Sequence, residues 1–473
     1  MRSTYLPSSV QSILFSFRPC FTAPSFENFV SLVSGWILCR GPHTISRVIV
    51  AACAHGLASK GHSAYYRFLS RARWSADQAG LVLFRLLLPL LPEEIEAAVD
   101  DTLCHRTGPQ IFGAGIHHDC SKSTYGGSGG KRVGFAFGHN WVVLSVWVPL
   151  PWNHERGIAI PVLLRLYRAK KRCPKAAYRK RTELAHDMLL ELLRWLPEDR
   201  RLNLAGDGEY ACRTLLRNLP ERVVFSGPMC MDAALFALPK PQAKLRGRPQ
   251  IKGDRLASPE QRTRKEKDWK KCKMRLYGRD VTLLIQSFTC MWYTVTGPRL
   301  VRVVITRDPK GRWKDRAYFC TNPERSPEQI LIRVGHRWQL EVTFQSAKQL
   351  LGLEEPRNGW WRRLRGRRAD RRKAGPQAKG RRGRKAVERT VPLIFLAYGI
   401  VAVWFFRHGN AAREVQKQRV RKPWYRSKRQ PAYMDMLAAL RREFWAQRLS
   451  RYPSLRPHRR KVLRLIEECV CAA

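Results

Sequence analysis

Acidic residues are scarce in this chain of 473 residues. Asp and Glu together number 37, against 88 Lys and Arg, and the formal net charge is +51 at pH 7. A chain with this much positive charge repels itself unless a polyanion neutralises part of it. The composition favours a nucleic acid as the partner, while a membrane surface, a ribosomal setting or a solvated protein face stay open as alternatives.

A regular cysteine framework is also missing. The 13 cysteines are an odd number at scattered positions, which is typical of free thiols in a reduced intracellular protein. His117, His118 and Cys120 lie close together but lack the paired spacing of a zinc site. Ser, Arg and Pro interrupt Ser12–Phe26, where a secretion signal has a clean apolar run, so we expect a cytoplasmic protein.

Long apolar runs are few. Leu81–Leu91 is interrupted by Arg85 and Pro89, and Val391–Phe406 begins with a Val-Pro pair. The second run is close to the shortest length that spans a bilayer, about 17 residues. The interruptions predict two buried helices, and a basic membrane protein that uses Val391–Phe406 remains an alternative.

Changes in apolar periodicity divide the chain into units of an α/β protein. With 44% hydrophobic residues, the chain is long enough for a large core. The predicted units are a helical N-terminal unit (1–90), the first part of the core (91–225), a β-rich insert (226–320), the second part of the core (321–412) and a basic helical tail (413–473). The N-terminal unit either caps the core or contacts a DNA end.

Two predicted strands each end on acidic residues. Ile95–Thr102 has the pattern of a strand and finishes on Asp100 and Asp101. Arg201–Tyr210 has the same pattern and places Asp207 in a glycine turn. Each sequence therefore delivers a carboxylate at the end of a strand.

Further strands are predicted around these two. Val133–His139 and Trp141–Val148 resemble two strands of a hairpin that turns at Gly138-His139-Asn140. In the insert, strand-like runs occupy Val281–Gln286, Trp292–Thr296 and Leu300–Ile305.

A helix is clearly signalled after the insert. Ser326 is a predicted N-cap, Pro327 suits the first turn, and Gln329 completes a capping box. The helix should continue to about Leu351. Steps of three, four and seven residues place four side chains on or near one of its faces, namely Arg337, Glu341, Phe344 and Lys348.

Asp100, Asp207 and Glu341 together suit a magnesium site. Carboxylate and water oxygens are the ligands that Mg²⁺ prefers, and phosphodiester cleavage uses clustered carboxylates that hold two metal ions. Taken singly, each acid has a plainer interpretation, because a strand-end Asp is more often a turn residue and a helical Glu is usually a surface charge.

Three motifs resemble those of a known family. Asp100-Asp101-Thr102, Leu204–Tyr210 and the stretch from Arg337 through Glu341 to Lys348 resemble the catalytic motifs of bacterial DDE transposases of the insertion-sequence-four type. The third motif of that family reads Tyr, two residues, Arg, three residues, Glu, six residues, Lys. Arg337, Glu341 and Lys348 keep these intervals, and Val334 stands in place of the tyrosine.

The resemblance implies a fold, a reaction and its participants. It implies an RNase H-like core, a mixed sheet flanked by helices, interrupted by the β-rich insert. Asp100, Asp207 and Glu341 would be the catalytic, metal-binding residues for two Mg²⁺ ions, with Mn²⁺ as a substitute. The activity would be metal-dependent cleavage and strand transfer of double-stranded DNA at transposon ends and target. We expect no membrane association, a dimer on paired ends, and a bacterial, nucleoid-associated location.

The family's first motif resembles Asp, any residue, Thr, which selects Asp100 over Asp101. Successive side chains of a strand face opposite ways, so only one of these neighbours can point into the site. Asp101 would then cap a turn or pair with a cation.

Cations near and beyond the acids are predicted to contact DNA. Arg337 and Lys348, before and after Glu341 on the helix, would bind scissile-strand phosphates. The segment Arg357–Arg389 holds fifteen Lys or Arg against two acids and is not expected to pack by itself. Its predicted DNA-binding residues are Arg362, Arg363, Arg367, Arg368, Arg381 and Arg382.

Two questions stay open from the sequence. The insert residues Trp269, Trp292, Tyr293 and Trp313 are either core residues or a platform for an unpaired base. The alternatives to a transposase are a nuclease of the same fold that cuts without joining, and a non-catalytic DNA-binding descendant of a transposase.

Overall fold

The computed structural model of the chain describes residues 5–107, 111–119, 122–123, 133–239, 250–265, 268–276, 278–356 and 380–452, together with residues 458, 461, 462 and 465. The helices are α1 Ser8–Phe15, α2 Ala23–Leu38, α3 Ile45–Ala54, α4 His62–Ser70, α5 Ala76–Leu87, α6 Arg181–Trp195, α7 Arg213–Leu216, α8 Pro259–Lys265, α9 Tyr293–Thr296, α10 Pro327–Leu350, α11 Arg381–His408, α12 Ala411–Arg421 and α13 Tyr433–Leu449. The strands are β1 Glu94–His105, β2 Gly115–His118, β3 Phe135–Leu150, β4 Asn153–Tyr167, β5 Arg201–Gly206, β6 Val223–Met229, β7 Leu235–Phe236, β8 Arg255–Leu256, β9 Lys270–Leu276, β10 Arg279–Met291, β11 Leu300–Arg307 and β12 Arg316–Cys320.

In the described part of the chain these strands form one mixed sheet. Its order is β2-β3-β1-β5-β6-β12-β11-β10-β7-β8, with β4 also pairing with β3 and β9 with β10. Strands β1, β5 and β6 are parallel, and the remaining pairs are antiparallel. Helices flank this sheet, so the protein is a mixed α/β protein, consistent with the predicted RNase H-like class.

The predicted hairpin at Gly138-His139-Asn140 is wrong, because β3 runs through it without a turn. Gly138 lies in the extended strand opposite His105 of β1. A Cβ atom at position 138 would lie 2.2 Å from the carbonyl oxygen of Cys104. The glycine therefore permits close packing of β1 and β3. The chain reverses after Leu150, in the turn between β3 and β4.

This close approach makes Gly138 a sensitive position. We expect Gly138→Ala to lower the free energy of unfolding by about 1–3 kcal/mol, because β1 and β3 must separate to admit the methyl group. Gly115, the direct pairing partner of Gly138 in β2, is the matched control, since the nearest atom to its Cβ is 3.4 Å away. Urea unfolding of both variants checks the expectation, and equal destabilisation of the two would contradict it.

The strands within residues 226–320, predicted as a β-rich insert, pair into the same sheet as β1 and β5. Strand β12 pairs with β6, and β11 and β10 follow in order. Trp292–Thr296, predicted as a strand, contains the helical turn α9 and ends at Gly297, whose φ is +71°. Trp292 is buried edge-on against Phe319 at 5.1 Å. The apolar pattern of this run therefore reflects core packing and not strand pairing.

Residues 1–90, predicted as a helical N-terminal unit, contain the helices α1 to α5. Its buried residues belong to the same apolar core as those of the sheet, α11 and α13. Trp36 of α2 donates to the carbonyl oxygen of Leu351, and Arg441 of α13 donates to the carbonyl oxygens of Ile37 and Cys39. These contacts pack the N-terminal helices against the end of α10 and the C-terminal helices.

Helix α11 contains the apolar run Val391–Phe406. Among the described residues it is the one helix long and apolar enough to cross a membrane, and 94% of its most apolar window is buried inside the protein. The side chains from Leu393 to Ala397 are all buried. The run is a buried helix, as predicted.

Part of the basic segment Arg357–Arg389, which is not expected to pack by itself, is packed through contacts with other parts of the chain. Residues 357–379 lie outside the described residues, but 381–389 form the first turns of α11. Arg389 is buried there and donates to the carbonyl oxygens of Leu69 and Trp74. Tertiary contacts with the N-terminal helices supply the partners that a basic segment lacks by itself.

Candidate active site

Asp100 and Asp207 lie next to each other on neighbouring interior strands of the sheet, Asp100 in β1 and Asp207 directly after β5. Strands β1 and β5 are parallel, and Val99 pairs with Gly206. The next residue of each strand is an aspartate, and the two carboxylates are close enough for Asp207 to raise the pKa of Asp100. Asp207 directly follows the end of β5, as predicted. The prediction for Asp100 is wrong in one respect, because β1 continues to His105 and Asp100 lies inside the strand instead of at its end.

A tight turn holds Asp207 in place. Its Oδ1 accepts hydrogen bonds from the backbone N–H groups of Glu209 at 2.9 Å and Tyr210 at 3.3 Å. Asp side chains often bond to the backbone two or three residues ahead in this way. The turn therefore fixes Oδ1 of Asp207.

Helix α10 brings the third acid to β1. It begins with the predicted capping box, in which Ser326 accepts from the N–H of Gln329 and the Gln329 side chain bonds back. Along its length α10 contacts β1 through pairs of opposite charge. Arg333 pairs with Glu94 and Glu96, His336 bonds to Glu96, Arg337 pairs with Asp100, and Lys348 donates to the carbonyl oxygen of Leu103. These contacts fix the position of α10 along β1.

Arg337 bridges two of the three candidate acids. Its Nη1 donates to Oδ2 of Asp100, and its Nη2 lies 3.2 Å from Oε1 of Glu341. The side chains of Arg337 and Asp100 are 14% and 12% exposed. A guanidinium with little access to water therefore lies between the two carboxylates.

The carboxyl groups repel one another. Burial raises the pKa of Asp100 to about 7, Arg337 opposes the rise, and Asp207 and Asp101 add to it. Burial likewise raises the pKa of Glu341, with Arg337 lowering it and Asp207 raising it. Negative charge is concentrated beyond what Arg337 neutralises, which is the electrostatic setting that attracts a further cation.

Asp101 faces the other way, toward α6. Its Oδ2 accepts from Nδ2 of Asn140 at 2.6 Å and from Nη1 of Arg181 at 3.1 Å. The same guanidinium places Nη2 2.7 Å from Oε2 of Glu209. Burial raises the pKa of Glu209, Arg181 lowers it, and Asp101 and Asp207 raise it. Asp101 and Glu209 thus form a second pair of acids beside the first, and Arg181 is the counter-ion of both.

Tyr210 connects the two groups of acids. It is fully buried, and its hydroxyl has no hydrogen-bond partner among the described residues. Burial raises the pKa of Tyr210 strongly, and the charges of Asp101 and Asp100 raise it further. Buried hydroxyl groups without a partner are uncommon, and this one lies beside acids where a bound ion would bring water.

Sequence reasoning missed Arg181, Glu209 and Tyr210 as members of the site. Glu209 and Tyr210 directly follow Asp207, so their position in the motif was an available signal. Arg181 lies 80 residues after Asp101, its partner. No spacing in the sequence indicates that pair.

The remaining residues predicted to bind DNA have different surroundings. Lys348 donates to the carbonyl oxygen of Leu103 at 2.7 Å and lies 3.5 Å from Oε1 of Glu354. Arg381 and Arg382 are exposed at the start of α11. The other predicted residues, Arg362, Arg363, Arg367 and Arg368, lie outside the described residues.

The donor set suits a hard divalent cation, although the side chains are not arranged around one. Asp100, Asp207 and Glu341 offer carboxylate oxygens, which Mg²⁺ prefers. Among the residues that the structure describes, no three His, Cys, Asp or Glu side chains are arranged to hold a metal ion. The positively charged Arg337 stands between Asp100 and Glu341. The chemistry of the acids and the unpartnered Tyr210 hydroxyl both fit a cation there.

Comparisons with known proteins address the family. No curated protein sequence matches the chain. Among solved structures, a chain of the "Cryo-EM structure of piggyBac transposase synaptic complex with hairpin DNA (SNHP)" is similar at 10% identity and a TM-score of 0.35, covering 93% of this chain and 76% of that chain. A family model described as "DDE superfamily endonuclease" matches residues 16–281, more than half of the chain, including Asp100 and Asp207. The chain therefore belongs to the DDE superfamily endonucleases.

Proposed function

We propose that this protein is the transposase of a bacterial insertion sequence, of the insertion-sequence-four type, and that it cleaves and joins DNA with divalent metal ions. The observation that supports the proposal is that Asp207, which follows β5, is close enough to Asp100 of β1 and Glu341 of α10 for its charge to raise the pKa of both. Asp100 and Asp207 adjoin across parallel strands, and Glu341 shares Arg337 with Asp100. Residues 91–225 and 321–412 would then form an RNase H-like core, with residues 226–320 as its insert.

Asp100, Asp207 and Glu341 would hold two Mg²⁺ ions, with Mn²⁺ as a substitute. Two such ions would stabilise charge on the entering and leaving oxygens of a phosphodiester. The turn at Asp207 orients one ligand, the β1 backbone orients Asp100, and the capped helix α10 presents Glu341. Arg337 and Lys348 would bind phosphates of the scissile strand.

Double-stranded DNA, as transposon end and as target, is the proposed substrate. We infer a dimer on paired ends, since two ends must be cut and joined together, and a location in the bacterial cytoplasm at the nucleoid. The charge of +51 supports a polyanionic partner.

The direct test is cleavage of DNA that carries the element's own ends by the purified protein. We expect 3′-end nicking with Mg²⁺ or Mn²⁺ and none in excess EDTA, because the acids alone cannot stabilise the developing charge. Undiminished cleavage in EDTA would contradict the proposal. A pre-cut 3′ end incubated with target DNA separates the alternatives, since a nuclease of the same fold leaves it unjoined and a transposase joins it.

The arginines of the basic segment provide a second test. We expect Gln at Arg362, Arg363, Arg367, Arg368, Arg381 and Arg382 to weaken binding to all duplexes alike. Each arginine that binds a phosphate should contribute about 0.9 to the slope of log affinity against log salt, so its replacement should flatten that slope by the same amount. The double variant of Arg381 and Arg382, both exposed on α11, shows how much of the change in slope comes from these two arginines. An unchanged slope in the sixfold variant would show that these arginines do not bind phosphates.

A further inference from the structure

The guanidinium of Arg337 occupies the place that a cation would take between Asp100 and Glu341. Its two terminal nitrogens are divided between the two carboxylates, Nη1 to Asp100 and Nη2 to Glu341. The side chains of Arg337 and Asp100 have little access to water, so the attraction between these two is weakly screened, whereas Glu341 is 37% exposed. Arg337 thus neutralises negative charge on Asp100 and Glu341 that would otherwise attract a divalent ion.

A divalent ion at these acids would repel the guanidinium. The positive charges would compete for the same oxygens of Asp100 and Glu341, and the released Arg337 would need another anion. Duplex DNA supplies phosphate oxygens, which a planar guanidinium binds with two donors at once. Nη1 and Nη2 are already engaged by the two carboxylates, so a bidentate phosphate contact through both nitrogens would compete with these bonds.

We propose that Arg337 is the resident counter-ion of the acid cluster and that DNA removes it, so that DNA and divalent cation bind cooperatively. This inference rests on the proposed function and adds to it the order in which DNA and the cation bind. Without DNA, Arg337 holds Asp100 and Glu341 and keeps cation affinity low. A phosphate draws Arg337 away, and the freed carboxylates accept the ion.

Cooperativity of this kind is reciprocal. If DNA raises the cation affinity by some factor, the cation raises the DNA affinity by the same factor. The arrangement would also mean that the acids bind the cation well only in protein molecules that have DNA bound. Arg337 is then a positioning residue, since it acts through the two acids and the phosphate.

The test measures Mn²⁺ binding to the full chain by the decrease of the free-ion paramagnetic resonance signal, with and without a duplex of the element's end. For the parental protein we expect about fivefold or greater tightening when DNA is present, the lower end of typical coupling. We expect Arg337→Gln to bind Mn²⁺ more tightly than the parent without DNA, and to gain less from DNA.

Arg333→Gln is the matched control. It removes the same charge from the same helix, four residues earlier, but its partners are Glu94 and Glu96. We expect its Mn²⁺ binding to equal that of the parent. Thermal melting of each variant establishes that it is folded, and Arg337→Lys, which keeps the charge, should behave more like the parent than Arg337→Gln does.

The outcomes separate the inference from the function. Equal DNA-free Mn²⁺ affinity in the parent and Arg337→Gln, or equal tightening by DNA in both, would overturn the inference. Asp207→Ala, measured alongside with DNA alone as the blank, tests the site itself. If Asp207→Ala leaves Mn²⁺ binding unchanged in every condition, the acids are not a metal site and the proposed function fails with the inference.

Discussion

Asp100→Asn is expected to abolish both nicking and strand transfer, whereas Asp101→Asn keeps measurable activity. Asp100 adjoins Asp207 and shares Arg337 with Glu341, so it belongs to the proposed metal-binding acids. Removal of one preorganised electrostatic group commonly lowers kcat by about 10²–10³-fold, and removal of a metal ligand should cost at least that.

Asp101 has another role. Its hydrogen bonds run to Asn140 and Arg181 on the opposite side of β1, and they link the strand to α6. An asparagine there still accepts a hydrogen bond from Arg181, so we expect a decrease of about 1 kcal/mol in the free energy of unfolding. Single-turnover nicking of both variants at equal folded concentration decides the matter. An active Asp100→Asn beside an inactive Asp101→Asn would reverse the assignment.

Asp207→Ala and Glu341→Ala are each expected to remove catalysis while DNA binding survives. Both acids are proposed to serve the metal ions and not the phosphates, so their removal leaves the basic surface intact. Removal of a negative charge near the DNA should strengthen duplex binding slightly. Asp207→Ala also removes the bonds to the N–H groups of Glu209 and Tyr210, for which we expect about 1 kcal/mol of destabilisation.

Glu443→Ala is the control for Glu341→Ala, because Glu443 is an exposed glutamate in helix α13. We expect it to cut at the parental rate. The measurements are single-turnover cleavage in Mg²⁺ and duplex binding at fixed salt. Cleavage near the parental rate by either site variant would refute its assignment, and a failure of binding together with cleavage would indicate a structural role instead.

The separation of Asp100 from Asp101 could be predicted from the sequence, because alternation along a strand is a local property. The capping box at Ser326 and the buried helix through Val391–Phe406 are local as well, and both are present. The hairpin at Gly138 could not be resolved in this way. A glycine is compatible with a turn and with close strand packing, and only the neighbouring carbonyl of Cys104 distinguishes them.

The sequence by itself determined that Asp100 lies in β1, that Asp207 follows β5 and that Glu341 lies on α10, and hence the class of chemistry that we propose. It determined this because strand ends, helix caps and motif intervals depend on residues close together in the chain. Only the tertiary structure decided the ionic partners of these residues. Arg337 pairs with Asp100 and Arg181 pairs with Asp101, across separations of 237 and 80 residues. Such pairs form where elements that are distant in the sequence pack against each other. The sequence between the two residues does not indicate that they will pair.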